Sequence, residues 1–347
     1  VLSSIQLGLF VGFRRATSDL IAHSGADVWV RSAGVTHLES GVRFDDHKRY
    51  DVLAVPGVAE AQSHIVGFGQ WQRPDGAEEG VLVIGLERHG TLGLPWNLVE
   101  GSIARLDEPD AVIVDDLYKA KLGITRVGEV FEIRGVRVRV VGFTHGIRSF
   151  TTAPPVFTTI DNARRFLGFR PTDTLYVLVK GKPGVPAEQL AADIKARVRD
   201  VDAVPTDAWR SAQESYWMFG TGAGISVLIA AGLGLLVGVV VVAQTIYAAT
   251  IDHIREYGTL KAMGATNGYL FRVIITQAVI SALIGGVLGV GIGLTAAHAS
   301  QAGTTAIIVP SLLAASLLAL TVLMCIVASL VSINTVVRLD PAIVFKG

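Results

Sequence analysis

REYGTLKAMGATNGYL, residues 255–270, is a polar island between two long runs without a single charge. It carries Arg255, Glu256 and Lys261 among the small residues Gly258, Gly264 and Ala265. Upstream, 225–249 reads ISVLIAAGLGLLVGVVVVAQTIYAA; downstream, 273–297 reads VIITQAVISALIGGVLGVGIGLTAA. Each is long enough for the roughly 20 residues that cross hydrocarbon as a helix. A further apolar run, 306–337, exceeds that length and predicts tilt or projection past the bilayer. The polar island is therefore a loop between membrane spans. Ile254, Tyr257, Leu260 and Met263 interleave with its charges, which predicts a short amphipathic helix at the membrane face. Gly264 is suited to stop it, because glycine accepts the left-handed backbone of a helix end.

The same division runs through the whole chain. Of 347 residues 50% are hydrophobic and only 17% are charged. From residue 216 onward the charges are Arg255, Lys261, Arg272, Arg338 and Lys346 against Asp252, Glu256 and Asp340. Residues 1–13, VLSSIQLGLFVGF, have none. Nearly all other charges lie in 14–215, a soluble domain of near-neutral balance. This predicts an α-helical membrane protein with an α+β domain inserted between its first and second helices. Four transmembrane helices are expected, the first represented only by its outer end, since 1–13 is too short to span. The absence of a basic stripe argues against a nucleic-acid partner. Cys325 is the single cysteine, so no internal disulfide or CxxC motif exists. A cysteine-free soluble domain fits a bacterial envelope compartment.

Lysine and arginine set the orientation. The loop after the second span and the tail after the last hold all five basic residues of this half, whereas 298–305 has none. Segments 250–272 and 338–347 are therefore expected in the cytoplasm, and the domain outside. The predicted order is 1–13, end of the first span; 14–207, extracytoplasmic domain; 208–224, a stalk helix; 225–249, 273–297 and 306–337, spans. Trp209, Tyr216, Trp217 and Phe219 read as an outer aromatic belt. Gly234 and Gly238, and Gly285, Gly289 and Gly293, recur every fourth residue, a spacing that lets helix backbones approach closely. Gln244, Tyr247 and Gln277 are polar groups at membrane depth that need partners; interhelical hydrogen bonds or a site for a small amphiphile such as haem would supply them.

Within the outer domain, strands are expected at 27–31, 64–71, 81–86, 111–114, 129–133, 136–143, 174–180 and 202–205. Helices are expected at 45–54, 115–122, 186–199 and 206–219. The histidines show no HxxxH or HExxH spacing and no GxSxG occurs, so neither a metal centre nor a hydrolase nucleophile is indicated. Asp115 and Asp116 open a helix, where carboxylates complement the N-terminal dipole.

No GxxxxGK[ST] is present, so nucleotide hydrolysis is not expected in this chain. REYGTLKAMGATNGYLFRVIITQAVI resembles the loop of the MacB/FtsX-like permeases, whose usual form is REIG-x-x-(R/K)-A-(L/M)-GA-(S/T). Arg255, Glu256, Gly258, Lys261, Ala262, Met263, Gly264, Ala265 and Thr266 match; Tyr257 stands for the common isoleucine. DAVIVDDLYKAKLGITRVGEVFEIRGVRVRVVGF and the tail RLDPAIV also resemble that family, and GADVWV looks most like its DevC subgroup. The resemblance implies a dimeric permease of an ABC exporter bound to a cytoplasmic ATPase, which would hold the ATP and magnesium. It implies that Arg255–Ala265 couples the ATPase to the outer domain, and that an adaptor and outer-membrane channel join some assemblies. A different use of the same family is a signalling scaffold that activates a cell-wall hydrolase. The implied location is the bacterial inner membrane.

Overall fold

Alternation in VWVRS decides how the soluble half begins. Strand β1 (Val28–Ser32) sends Val28 and Val30 to one face of a sheet, and Trp29 to the other. The computed structural model describes residues 2–301, 303 and 307–337, apart from the side chains of Leu2 and 330–337. The RLDPAIV motif lies outside these residues. The chain forms two compact units. One holds the chain up to Gly12, Ile225–Ser300 and the last helix; the other holds Phe13–Gly224 with the loop from Gln301.

Helix α1 (Leu2–Ala22) precedes β1 and continues well past the apolar run that ends at residue 13. Strand β2 (Phe44–Asp45), helix α2 (Lys48–Leu53), and strands β3 (Val58–Gln72), β4 (Glu78–Leu86), β5 (Leu98–Gly101) and β6 (Ala111–Asp115) follow. Next come α3 (Lys119–Leu122), β7 (Val130–Ile133), β8 (Val136–Thr144), β9 (Pro155–Thr159) and α4 (Ile160–Leu167). Strands β10 (Asp173–Thr174) and β11 (Tyr176–Gly181), helix α5 (Ala187–Arg197), strand β12 (Val201–Pro205) and helix α6 (Thr206–Ser215) complete the unit.

The strands form one mixed sheet of order β12-β1-β11-β3-β4-β9-β6-β8-β5, with β7 against β3 and β8, apart from the small pair β10-β2. The long strand β3 links its two sides: Val58–His64 pairs with β11, Ile65–Gln72 with β4. Its first half, VAEAQSH, lacks clear alternation, so only the second half is legible as a strand. Strand β9 is buried on both faces, pairs parallel to β4, and opens on Pro155. A central strand of that kind shows no period of two. Helix α4 packs so closely on β4 that a Cβ at Gly85 would fall 2.6 Å from that of Ala163. On the other face α5 sets Leu190, Ala191 and Ile194 against Val28, Val30 and Val179.

His64 sits inside this domain, 4% exposed, with its ring edge-on to Trp29 at 5.6 Å. Burial pushes its imidazole pKa down to about 4. The unfolded ring takes up a proton below about 6.5, so stability is present above that value and is lost as the pH falls towards the folded one. Between pH 7 and pH 5 the loss amounts to about 2 kcal/mol. Thermal melts of the purified chain are expected to show this acid sensitivity in the wild type and a clearly smaller one in His64→Gln. Identical slopes in both would refute the assignment.

In the other unit, α7 (Ala223–Asp252), α8 (Ile254–Ala262), α9 (Asn267–Ser300) and α10 (Ser311–Val337) follow. Three of the helices described, α7, α9 and α10, are long and apolar enough to cross a membrane. The start of α1 packs with them: Ile308 N–H donates to the Gly8 carbonyl at 3.0 Å.

Candidate functional site

The polar island becomes helix α8, and its residues separate into two faces. Tyr257 and Gly258 are buried. Tyr257 packs with Leu270 and Ile274 of α9, with Ile254 and Leu260 alongside. Its hydroxyl reaches Gln277 Oε1 at 3.5 Å, a long hydrogen bond. Arg255, Glu256 and Gly264 are exposed, Lys261 and Ala265 half-buried. Met263 is 72% exposed, on the outward side together with Arg255 and Glu256. Gly264 takes φ +95°, and the chain closes behind it with Ala265 N–H donating to the Leu260 carbonyl at 3.0 Å. At the other end His253 Nδ1 meets Glu256 Oε1 at 2.9 Å. That hydrogen bond and the Glu256 charge raise the His253 pKa, so the pair is charged at acidic pH and weakens as the pH rises through the raised value.

The helix-packing glycines fall in different settings. Gly234, Gly238, Gly285 and Gly289 line one cavity of about 260 Å³ that also touches Ser4. A Cβ at Gly285 would meet nothing within 4 Å, whereas one at Gly293 would lie 3.0 Å from the Ser4 Cβ. The buried ridge of α9 is Ala278, Ala282, Gly286, Gly293 and Ala297. Gly286 and the alanines were not legible as contacts, because small residues occur on every face of this helix.

In the soluble unit a cluster binds α1 to the start of the stalk. Helix α6 ends at Ser215 and a π-helical turn, Tyr216–Gly220, replaces the rest of the expected 206–219 helix. Glu39 accepts hydrogen bonds from Gln213 Nε2 at 3.1 Å and Trp217 Nε1 at 3.3 Å. Burial raises its carboxyl pKa. Gln213 Oε1 accepts from the Leu38 N–H at 2.8 Å. Glu214 accepts from Ser18 Oγ at 2.8 Å and stands 3.6 Å from Arg14. Phe150 bridges Phe13 and Trp217, with centroids at 6.0 and 4.2 Å. Trp217 is thus engaged by Glu39 and Phe150, and Trp209 is fully buried beneath Arg31, 4.0 Å from its guanidinium. The aromatic-belt reading fails for Trp209: its ring fills the domain core, and position in sequence did not reveal that. Asp115 caps the turn after β6 and also accepts from Thr144 Oγ1 and the Ile147 N–H, a structural role. Among the described residues no group of three His, Cys, Asp or Glu could hold a metal.

Residues 3–197 match the family of MacB-like periplasmic core domains, and 228–341 match the FtsX-like permease C-terminal family. The chain is an ABC transporter permease of the MacB/FtsX type. An ABC transporter permease of Mycobacterium tuberculosis is 26% identical over 345 residues, 99% of this chain and 91% of that one. A protein of Pseudomonas entomophila named as a probable export ATP-binding/permease protein MacB is 22% identical, over 83% of this chain and 47% of its own length. The periplasmic region of MacB from Actinobacillus actinomycetemcomitans aligns with 56% of this chain at a TM-score of 0.41 and 11% identity. The permease is an integral membrane protein.

Proposed function

We propose that this permease is the membrane subunit of an ATP-driven exporter, with α8 as the seat of a cytoplasmic ATPase. The two-faced geometry of α8 carries the reading: Tyr257 anchors it inward on α9 while Arg255, Glu256 and Met263 remain outward. Burial of Tyr257 against α9 fixes which side of α8 faces outward, and that side mixes charge with the apolar Met263, a surface a protein partner can cover. In this reading four spans cross the membrane, α1 being the first, and two permease subunits pair. Residues 14–207 stand outside the plasma membrane, and motion of α8 is transmitted to them through the spans. ATP and magnesium belong to the partner. An adaptor and an outer-membrane channel would complete the path where the envelope has one, and the DevC-like placement rests on GADVWV and the small size of the outer domain.

Single-cysteine labelling tests the arrangement. In a Cys325→Ala background, Lys261→Cys is expected to react with a membrane-impermeant maleimide only after the cells are opened. Arg126→Cys, whose native side chain is 84% exposed, is expected to react in intact spheroplasts. Labelling of both from one side would end this reading.

A further inference from the structure

One face of α9 carries donors that no group among the described residues accepts. Arg272, Thr276, Gln277 and Ser281 line a groove of about 440 Å³ together with Val273 and Ile280. Hydroxyls elsewhere in the long helices donate to their own backbone: Thr245 to Val241, Thr250 to Ile246, Thr295 to Ile292, Thr321 to Leu317. Among the described residues Thr276 and Ser281 make no such bond, the Gln277 amide nitrogen donates to nothing, and Arg272 has no ion-pair partner. Unpaired polar groups at membrane depth need partners from outside the helix.

We propose that this face binds an anionic phospholipid of the leaflet that α8 meets. The proposal rests on the topology above, in which Arg272 lies at the membrane boundary. The complementarity is one of charge and of hydrogen-bonding sense. The exposed face of α9 carries a guanidinium, two hydroxyls and an amide, with no carboxylate, while the groove surface between them is almost wholly apolar; a phospholipid offers phosphate and ester oxygens that accept, and acyl chains for the apolar surface. Thr276 lies about 6 Å along the axis from Arg272 at the helical rise, the separation of a phosphate from its glycerol esters. An acyl chain then has a place: Gln277 and Ser281 also line an adjoining cavity of about 220 Å³, walled by Val241, Ile246, Ile274, Ala278 and Cys325. A second copy of the chain fits this face less well, because a two-fold partner would bring a second Arg272 towards the first. Gln277 also accepts from Tyr257, so the occupied site would touch the coupling helix through a single side chain.

Native mass spectrometry of the full chain, taken from nanodiscs of equal parts phosphatidylcholine and phosphatidylglycerol, tests this. One phosphatidylglycerol is expected to stay bound in preference to phosphatidylcholine. Arg272→Gln is expected to lower that retention about fivefold, the effect of one cation near a lipid surface, and Arg272→Lys to keep most of it. Thr276→Val with Gln277→Leu, which leaves the charge in place, is expected to lower it as well, and covers the case in which Arg272→Gln does not fold. Inorganic phosphate added in excess is expected not to displace the lipid. Equal retention in wild type, Arg272→Gln and the Thr276→Val/Gln277→Leu variant, equal retention of the two lipids, or displacement by phosphate would overturn the proposal. So would a dimer that excludes lipid and dissociates on Arg272→Gln. Each outcome is read on the chain alone, so it stands apart from whether an ATPase binds α8.

Discussion

Met263→Glu combined with Glu256→Lys is expected to lower retention of the partner ATPase at least about 100-fold in pull-downs of the tagged permease from native membranes. Methionine is enriched at protein interfaces, and truncating a hot-spot residue at the centre of an interface costs about 2 kcal/mol or more. Reversing a neighbouring charge adds about 1 kcal/mol, and tenfold corresponds to about 1.4 kcal/mol. Both side chains are largely exposed, Glu256 by 72% and Met263 by 72%, so neither change reaches the buried face of α8, and Glu256→Lys gives up only the exposed hydrogen bond to His253. The control lies on the opposite face. Tyr257→Phe keeps the ring against Leu270 and Ile274 and loses only a long hydrogen bond, so recruitment should stay near wild type. Undiminished recruitment by the double variant would remove α8 from the interface, and the proposed coupling with it.

The contrast between those faces shows where sequence sufficed. The helix, its stop at Gly264 and its membrane flanks were legible because each depends on local chemistry: interleaved charge, a left-handed glycine, unbroken apolar length. Which side of the helix would be inward was not, since that depends on Leu270 and Ile274 arriving from α9. The soluble domain repeats the lesson. VWVRS announced a strand by alternation, but the first half of β3 and all of β9 gave no period, because one is poorly patterned and the other is buried on both sides. Trp209, adjacent in sequence to a membrane segment, reads as an interface residue until Arg31 is seen stacked upon it. Glu39 carried no local signal; its partners Gln213 and Trp217 are more than 170 residues away.

That carboxylate supports the second large effect. Glu39→Ala with Glu214→Ala is expected to destabilise the outer domain by about 2–4 kcal/mol, a substantial part of the 5–15 kcal/mol typical of a domain. The first change leaves the Gln213 amide and the Trp217 indole N–H without an acceptor. The second frees Ser18 and Arg14 of α1 from α6. Glu39→Gln behaves differently. Burial raises the pKa of Glu39, so the folded domain disfavours its charge, and glutamine keeps the acceptor oxygen without that charge. Its melting temperature at pH 7 should equal or exceed wild type. A double-mutant cycle of Glu39→Ala with Trp217→Phe isolates the bond itself, because phenylalanine keeps a ring against Phe150 while removing the N–H donor. The cycle should return a coupling of about 0.5–3 kcal/mol. Strict additivity would mean that the two groups merely lie side by side. In that case Glu39 would hold the segment ahead of α7 through Gln213 alone, and the π-helical turn would be free to move apart from it.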